Sequence, residues 1–454
     1  MSSQLFNEFE PVSAKQWKQK IQVDLKGADY NDTLIWQSLE GIHVKPFYHR
    51  DDFNEAFKPI PGQPTDWKIG QHIFIDDETI ANSLALDAIE RGAEAIYFSS
   101  ESEFDVKKVF QNFPFSKVPV YFDFSFLAEA FSLQLNQFLS EKNATVFYNI
   151  DLIGTLGTTG NWFHNLKEDH SILETILKQS PSENILQINT STYQNAGANC
   201  MQQLAYALAH VNEYLNHFSE NKELKITFKI SVGGNYFFEI AKIRALRILY
   251  AALASEYGMP TDCHIVATPS LRNKTLYDYN VNMLRTTTEC MSAVLGGADT
   301  IANLAYDGLY HKSNEFGERI SRNQLLILKA ESYFDMVSNP ADGSYYIESL
   351  TQELTEKALA LFKNIEAGGG FLHQLKEGII QKKIKESAAK EQALFDEGKL
   401  KLVGTNYHIN KNDVMKHELE LYPFVKIKNH KTLLAPIVPV RLSEKIEKER
   451  IENE

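Results

Sequence analysis

From about residue 71 this sequence settles into a regular beat, and that beat limits the fold more than any other feature. Short β-branched or aromatic runs alternate with longer helical patterns. The strand candidates are 72–76, 95–99, 118–123, 145–150, 185–190, 226–231, 264–268 and 298–302. Helix patterns lie near 79–92, 103–111, 126–142, 164–179, 196–217, 235–257 and 275–295, and one more follows at 316–333. Eight such units in about 260 residues predict an α/β fold of the TIM (β/α)8 barrel type. A doubly wound sheet is disfavoured, because no GxGxxG follows the first strand.

Residues 1–65 read as an N-terminal arm. Trp17, Ile21 and Leu25 share one face of a helix over 13–25, and Gly27 ends it. Leu34, Trp36 and Val44 sit in short extended runs. So short an arm builds no core of its own and is expected to pack on the body or on another chain. Residues 66–400 hold the barrel and its C-terminal helices, and 401–454 read as a linker-like tail whose end, 441–454, is helical or frayed. The helix from 235 is apolar almost all round, so its outer side is expected to be covered by another segment or a partner.

Composition narrows the function. Of 454 residues, 46 are Lys or Arg and 59 are Asp or Glu, for a net charge of −13. That balance disfavours a generic nucleic-acid binder but leaves room for a locally basic pocket. Three cysteines, Cys200, Cys263 and Cys290, form no CxxC pair, which fits a reducing cytoplasm. No secretory signal and no apolar run of membrane-spanning length is expected.

Chemistry in such a barrel sits past the C-terminal ends of the strands. The residues there are Asp76, Asp77 and Glu78, then Asp123, Asp151, the run Ser191, Thr192 and Tyr193, and finally Thr268 and Ser270. Most are expected to be helix caps. Gly154, Gly157 and Gly160 lack the P-loop order and read as a flexible loop. The scattered histidines give no metal-ligand spacing, so no metal site is expected.

Several ordered stretches between about 30 and 400 resemble the methylmalonyl-CoA mutase family. They include EGIHVKPFY at 40–48, QNAGA at 194–198, GNYFFEIAKIR at 234–244, NMLRT at 282–286, ERISRN at 318–323 and NPADGSYYIE at 339–348. The resemblance implies a TIM barrel. It also implies adenosylcobalamin-dependent exchange of methylmalonyl-CoA and succinyl-CoA in the family's active chains.

The departures from the family pattern matter more. Ser191 and Thr192 occupy the places of the family's catalytic Tyr-His pair. The run before the first strand is PGQPTDW at 61–67, with only Trp67 kept, and LGGADTIAN at 295–303 lacks the family's histidines. Asp262, His264 and Ala267 approximate the family's cobalt-ligating DxHxxG, but at the start of a barrel strand rather than in a cobalamin domain. About 54 residues follow position 400, too few for that domain. The resemblance thus implies a small, catalytically silent subunit. It would bind no cofactor, have no catalytic or metal residues, and pair with a large catalytic subunit carrying adenosylcobalamin. A vestigial contact with a CoA thioester is compatible with this. The alternative is a stand-alone CoA-thioester binding protein, or a cobalamin-independent enzyme that reuses the barrel mouth.

Overall fold

A computed structural model describes residues 8–180, 184–425 and 431–454. The first seven residues of the arm and 426–430 of the tail lie outside the described residues. Two short strands of the arm, β1 (Trp36–Gln37) and β2 (His43–Val44), pair antiparallel. Eight more follow: β3 (Lys68–Phe74), β4 (Ala95–Ser100), β5 (Val120–Phe124), β6 (Val146–Ile150), β7 (Asn184–Asn189), β8 (Ile226–Val232), β9 (His264–Pro269) and β10 (Thr300–Ala302). They close into a barrel in the order β10-β3-β4-β5-β6-β7-β8-β9. Every neighbouring pair is parallel, as (β/α)8 connectivity requires. Outward side chains such as Phe98, Phe122 and Phe228 are buried under the surrounding helices. Among the described residues no helix is long and apolar enough to cross a membrane.

Two local expectations change. The first barrel strand begins at Lys68, not His72. Its polar start is drawn into the sheet by β10, with Thr300 opposite Lys68. A side chain at Gly70 would sit 3.2 Å from Thr300 Cγ2. The glycine run after β6 is not a loop but the helix Leu152–Thr159, capped by Asp151 and ended at Gly160 with φ 82°. Its glycines let the tail come close. Ile437 N donates to Gly157 O at 2.8 Å and Leu433 N to Gly160 O at 3.0 Å.

The helix Tyr236–Tyr257 is covered as expected, and the cover comes from within the chain. Cys200–His217, Val281–Gly296 and Tyr345–Ala367 all pack against it. The contact carries buried charge as well as apolar surface. Arg244, fully buried, pairs with Asp342 and holds Glu348 at 2.7 Å. Arg247 reaches Asp299 at 2.7 Å and the Gly297 carbonyl at 2.7 Å.

The arm has two halves. Its later part lies on the body: Ile42 is wholly buried, Trp36 meets Phe238 edge-on, and Tyr48 packs on Tyr346. The helix Ala14–Asp24, started by a Ser13–Gln16 capping box, buries none of its residues. Trp17 touches Phe47 yet stays half exposed.

The tail crosses the loops at the C-terminal end of the barrel. Val440 N donates to Asn195 O after β7, and Leu442 N to Arg272 O after β9. It ends in the helix Glu444–Glu452, which is anchored rather than frayed. Glu447, with no exposed side-chain surface, pairs with Arg441 at 2.5 Å and accepts the Leu276 N–H at 2.9 Å. Removing one member of a buried ion pair strands the other's charge. Glu447→Ala should therefore lower the unfolding free energy by about 3–5 kcal/mol, read from urea denaturation. A loss within the range of surface substitutions would show that the tail is not part of the cooperative unit.

Candidate functional site

Alternation along the barrel strands decides which residues face the lumen. In its lower half these are large. The rings of Tyr97 and Tyr121 stack at 4.2 Å, and those of Tyr121 and Phe147 at 4.3 Å. His264 lies against Phe147 at 4.3 Å. The Tyr121 hydroxyl lies 2.9 Å from both His264 Nε2 and Thr300 Oγ1. Burial pushes the Tyr97 and Tyr121 phenols up and the His264 imidazole down, the last partly offset by Asp299. The stack gives the lumen a dry aromatic floor.

Above it the lumen is polar. Lys229 Nζ of β8 donates to Asp123 Oδ2 of β5 at 2.7 Å. Those strands stand three apart around the barrel, so the bond crosses the lumen. Asp123 keeps 47% of its side chain exposed and Lys229 20%. The Lys229 ammonium holds the Asp123 carboxyl below its ordinary range. His72, from β3, faces the same space, and burial followed by the nearby Lys229 pushes its imidazole down.

The strand-end residues separate into caps and lumen groups. Asp77 caps the helix Glu78–Glu90 through the Thr79 and Ile80 amides. Asp151 caps Leu152–Thr159 and also accepts the Tyr214 hydroxyl and the Asn189 amide. Ser270 donates to Gln194 Oε1 at 2.9 Å. Asp123 is no cap. Sequence reasoning did not single out His72 and Lys229. Both lie inside strands rather than at their ends, and the signal that finds them is their shared inward parity with Asp123.

Ser191 and Thr192 open the short helix Ser191–Asn195 directly after β7. Both are buried. Thr192 Oγ1 lies 3.3 Å from Thr158 Oγ1, and Ser191 Oγ has no hydrogen-bond partner among the described residues. Neither offers an imidazole or a phenol. His264 cannot stand in for a cobalt ligand, because its ring is held inside the lumen between Phe147 and the Tyr121 hydroxyl. Among the described residues the only sheets are the arm ribbon and the barrel, and no cluster of His, Cys, Asp or Glu is arranged to hold a metal.

The family model for methylmalonyl-CoA mutase matches residues 98–435. The small subunit of methylmalonyl-CoA mutase from Porphyromonas gingivalis is 33% identical, over 92% of this chain and 73% of its own length. Methylmalonyl-CoA mutase from Cereibacter sphaeroides is 29% identical over 87% of this chain, and the human mitochondrial enzyme 26% over 92%. The chain spans 64% and 63% of those two relatives. A solved Yersinia pestis DHPS superposes on 59% of this chain and 94% of its own at 12% identity, with a TM-score of 0.31, too low to carry weight.

The floor also fixes an acid response. His264 has a folded pKa below its ordinary value of about 6.5, so the unfolded chain binds the extra proton first. Its contribution to stability is full above about pH 6.5 and is lost as pH falls below it. His264→Gln should therefore flatten the decline in urea stability between about pH 7 and 5. His72 and His170, shifted the same way, leave a residual slope. An unchanged slope would contradict a neutral, partly buried His264.

Proposed function

This chain belongs to the methylmalonyl-CoA mutase family, and from that premise we propose that it is the small, catalytically silent subunit of a heteromeric mutase. In this reading the large subunit carries adenosylcobalamin and interconverts methylmalonyl-CoA and succinyl-CoA. The observation that carries the reading is the identity and burial of Ser191 and Thr192. At the places where the family pattern has a Tyr-His pair, this chain has two small hydroxyls that cannot protonate or polarise a thioester carbonyl as an imidazole does. The aromatic floor supports the same reading, since it occupies the lower part of the barrel axis. It weighs against a stand-alone protein that takes a CoA thioester through the barrel.

The role left for the chain is structural. We assign partner contact to the helix Ala14–Asp24, which leaves Trp17 and Val23 exposed and packs so little on its own body. A large half-exposed tryptophan is the kind of residue that anchors an interface. The reading also places the complex in the cytoplasm, in keeping with three free, buried cysteines.

The test is gentle purification of a tagged chain from its native host, followed by assay. A larger mutase chain with cobalamin should co-elute near one-to-one, and the mixture should turn over methylmalonyl-CoA. The small chain alone, given adenosylcobalamin, should show no turnover. Turnover by the isolated chain would overturn the proposal, as would elution without any mutase partner.

A further inference from the structure

We infer that the C-terminal mouth of this barrel is a cup that binds a small zwitterion of the α-amino acid class. The cup belongs to this chain alone and does not depend on what the chain assembles with. Its base is the stack of Tyr97, Tyr121 and Phe147. Its wall is drawn from inward positions: His72 and Phe74 on β3, Ser99 on β4, Asp123 on β5 and Lys229 on β8. Ser99 stands opposite Asp123 in register, and Phe74 opposite Ser99. His72 stands opposite Tyr97 in register and its side chain is exposed to solvent. Asp123 and Phe74 are likewise about half exposed. Exposed inward groups standing above a buried aromatic layer inside a closed barrel line a concavity.

That concavity holds unspent hydrogen-bonding capacity. Lys229 donates one of its three N–H groups to Asp123 Oδ2. No protein group within the described residues takes the other two, and none reaches Asp123 Oδ1 or either nitrogen of His72. A few convergent polar groups over an apolar base are the usual anatomy of a small-molecule site.

The charges select the ligand. The cup offers one cation and one anion side by side. A lone carboxylate would meet Lys229 but also face Asp123, and a lone amine would have the reverse problem. A zwitterion satisfies both: its carboxylate takes the free Lys229 N–H groups and its ammonium takes Asp123 Oδ1. Phe74 supplies an apolar wall for a short side chain.

The test is isothermal titration calorimetry on the full chain, with its partner subunit if one co-purifies. The probes are L-alanine, L-valine and L-glutamate, with propionate and ethylamine as the separated halves of alanine. At least one amino acid should bind saturably, and more tightly than either half by about tenfold. Asp123→Asn and Lys229→Met should each weaken binding by about tenfold or more. Because either change disturbs the pair itself, Ser99→Leu is the second variant. It keeps both charges, fills the cup and should abolish binding. The inference is overturned if no amino acid binds, if propionate or ethylamine binds as well as alanine, or if Ser99→Leu leaves the affinity unchanged.

Discussion

Closing eight parallel strands creates a lumen that has to be filled, and here three stacked rings fill its lower half. Tyr97, Tyr121 and Phe147 come from consecutive strands β4, β5 and β6. Flat rings on neighbouring strands can lie face against face where branched side chains would interdigitate in layers. The cost is two phenol hydroxyls at the bottom of the barrel. The Tyr121 hydroxyl meets His264 and Thr300 in one small cluster, whereas the Tyr97 hydroxyl has no partner among the described residues. His264 thereby loses the freedom that a ligating or proton-transferring histidine requires. The chemistry of the strand ends above is constrained by what lies beneath them.

The second constraint is the way charge is handled away from water. Arg244, Arg247, Lys274, Glu289 and Glu447 are all buried, and each has an ion-pair partner or several backbone acceptors. Such pairs add little net stability when intact and cost much when broken. Their effect is to fix which segment lies on which. Arg244 specifies where Tyr345–Ala367 crosses Tyr236–Tyr257, and Glu447 specifies where the tail meets the loop after β9.

The barrel is legible in the sequence because its strands are short, β-branched or aromatic, and evenly spaced. The family relationship is legible because its motifs keep their order. Lys68–Gln71 escapes such a reading because its strand character comes from pairing on both sides rather than from its own residues. The glycines at 154–160 mislead because a glycine-rich stretch in isolation reads as a loop. Here it is a helix whose missing side chains admit a distant tail. The apolar girth of the helix from 235 says that it is covered, but no local signal says that 345–367 of the same chain covers it. Lys229 and His72 need the barrel's parity, which emerges only once the register is known.

The tail also has a consequence in time. Chains emerge from the ribosome in order, and the loop after β9 is made long before the residues that complete it. The Leu276 amide waits 171 positions for the Glu447 carboxylate. Asn195 waits still longer for Val440. The eight strands can therefore be present, and even paired, while the loops at their C-terminal ends still lack their last partners. Closure of that end waits until residues 440–447 have been made, so any assembly that relies on its finished shape has to follow their synthesis.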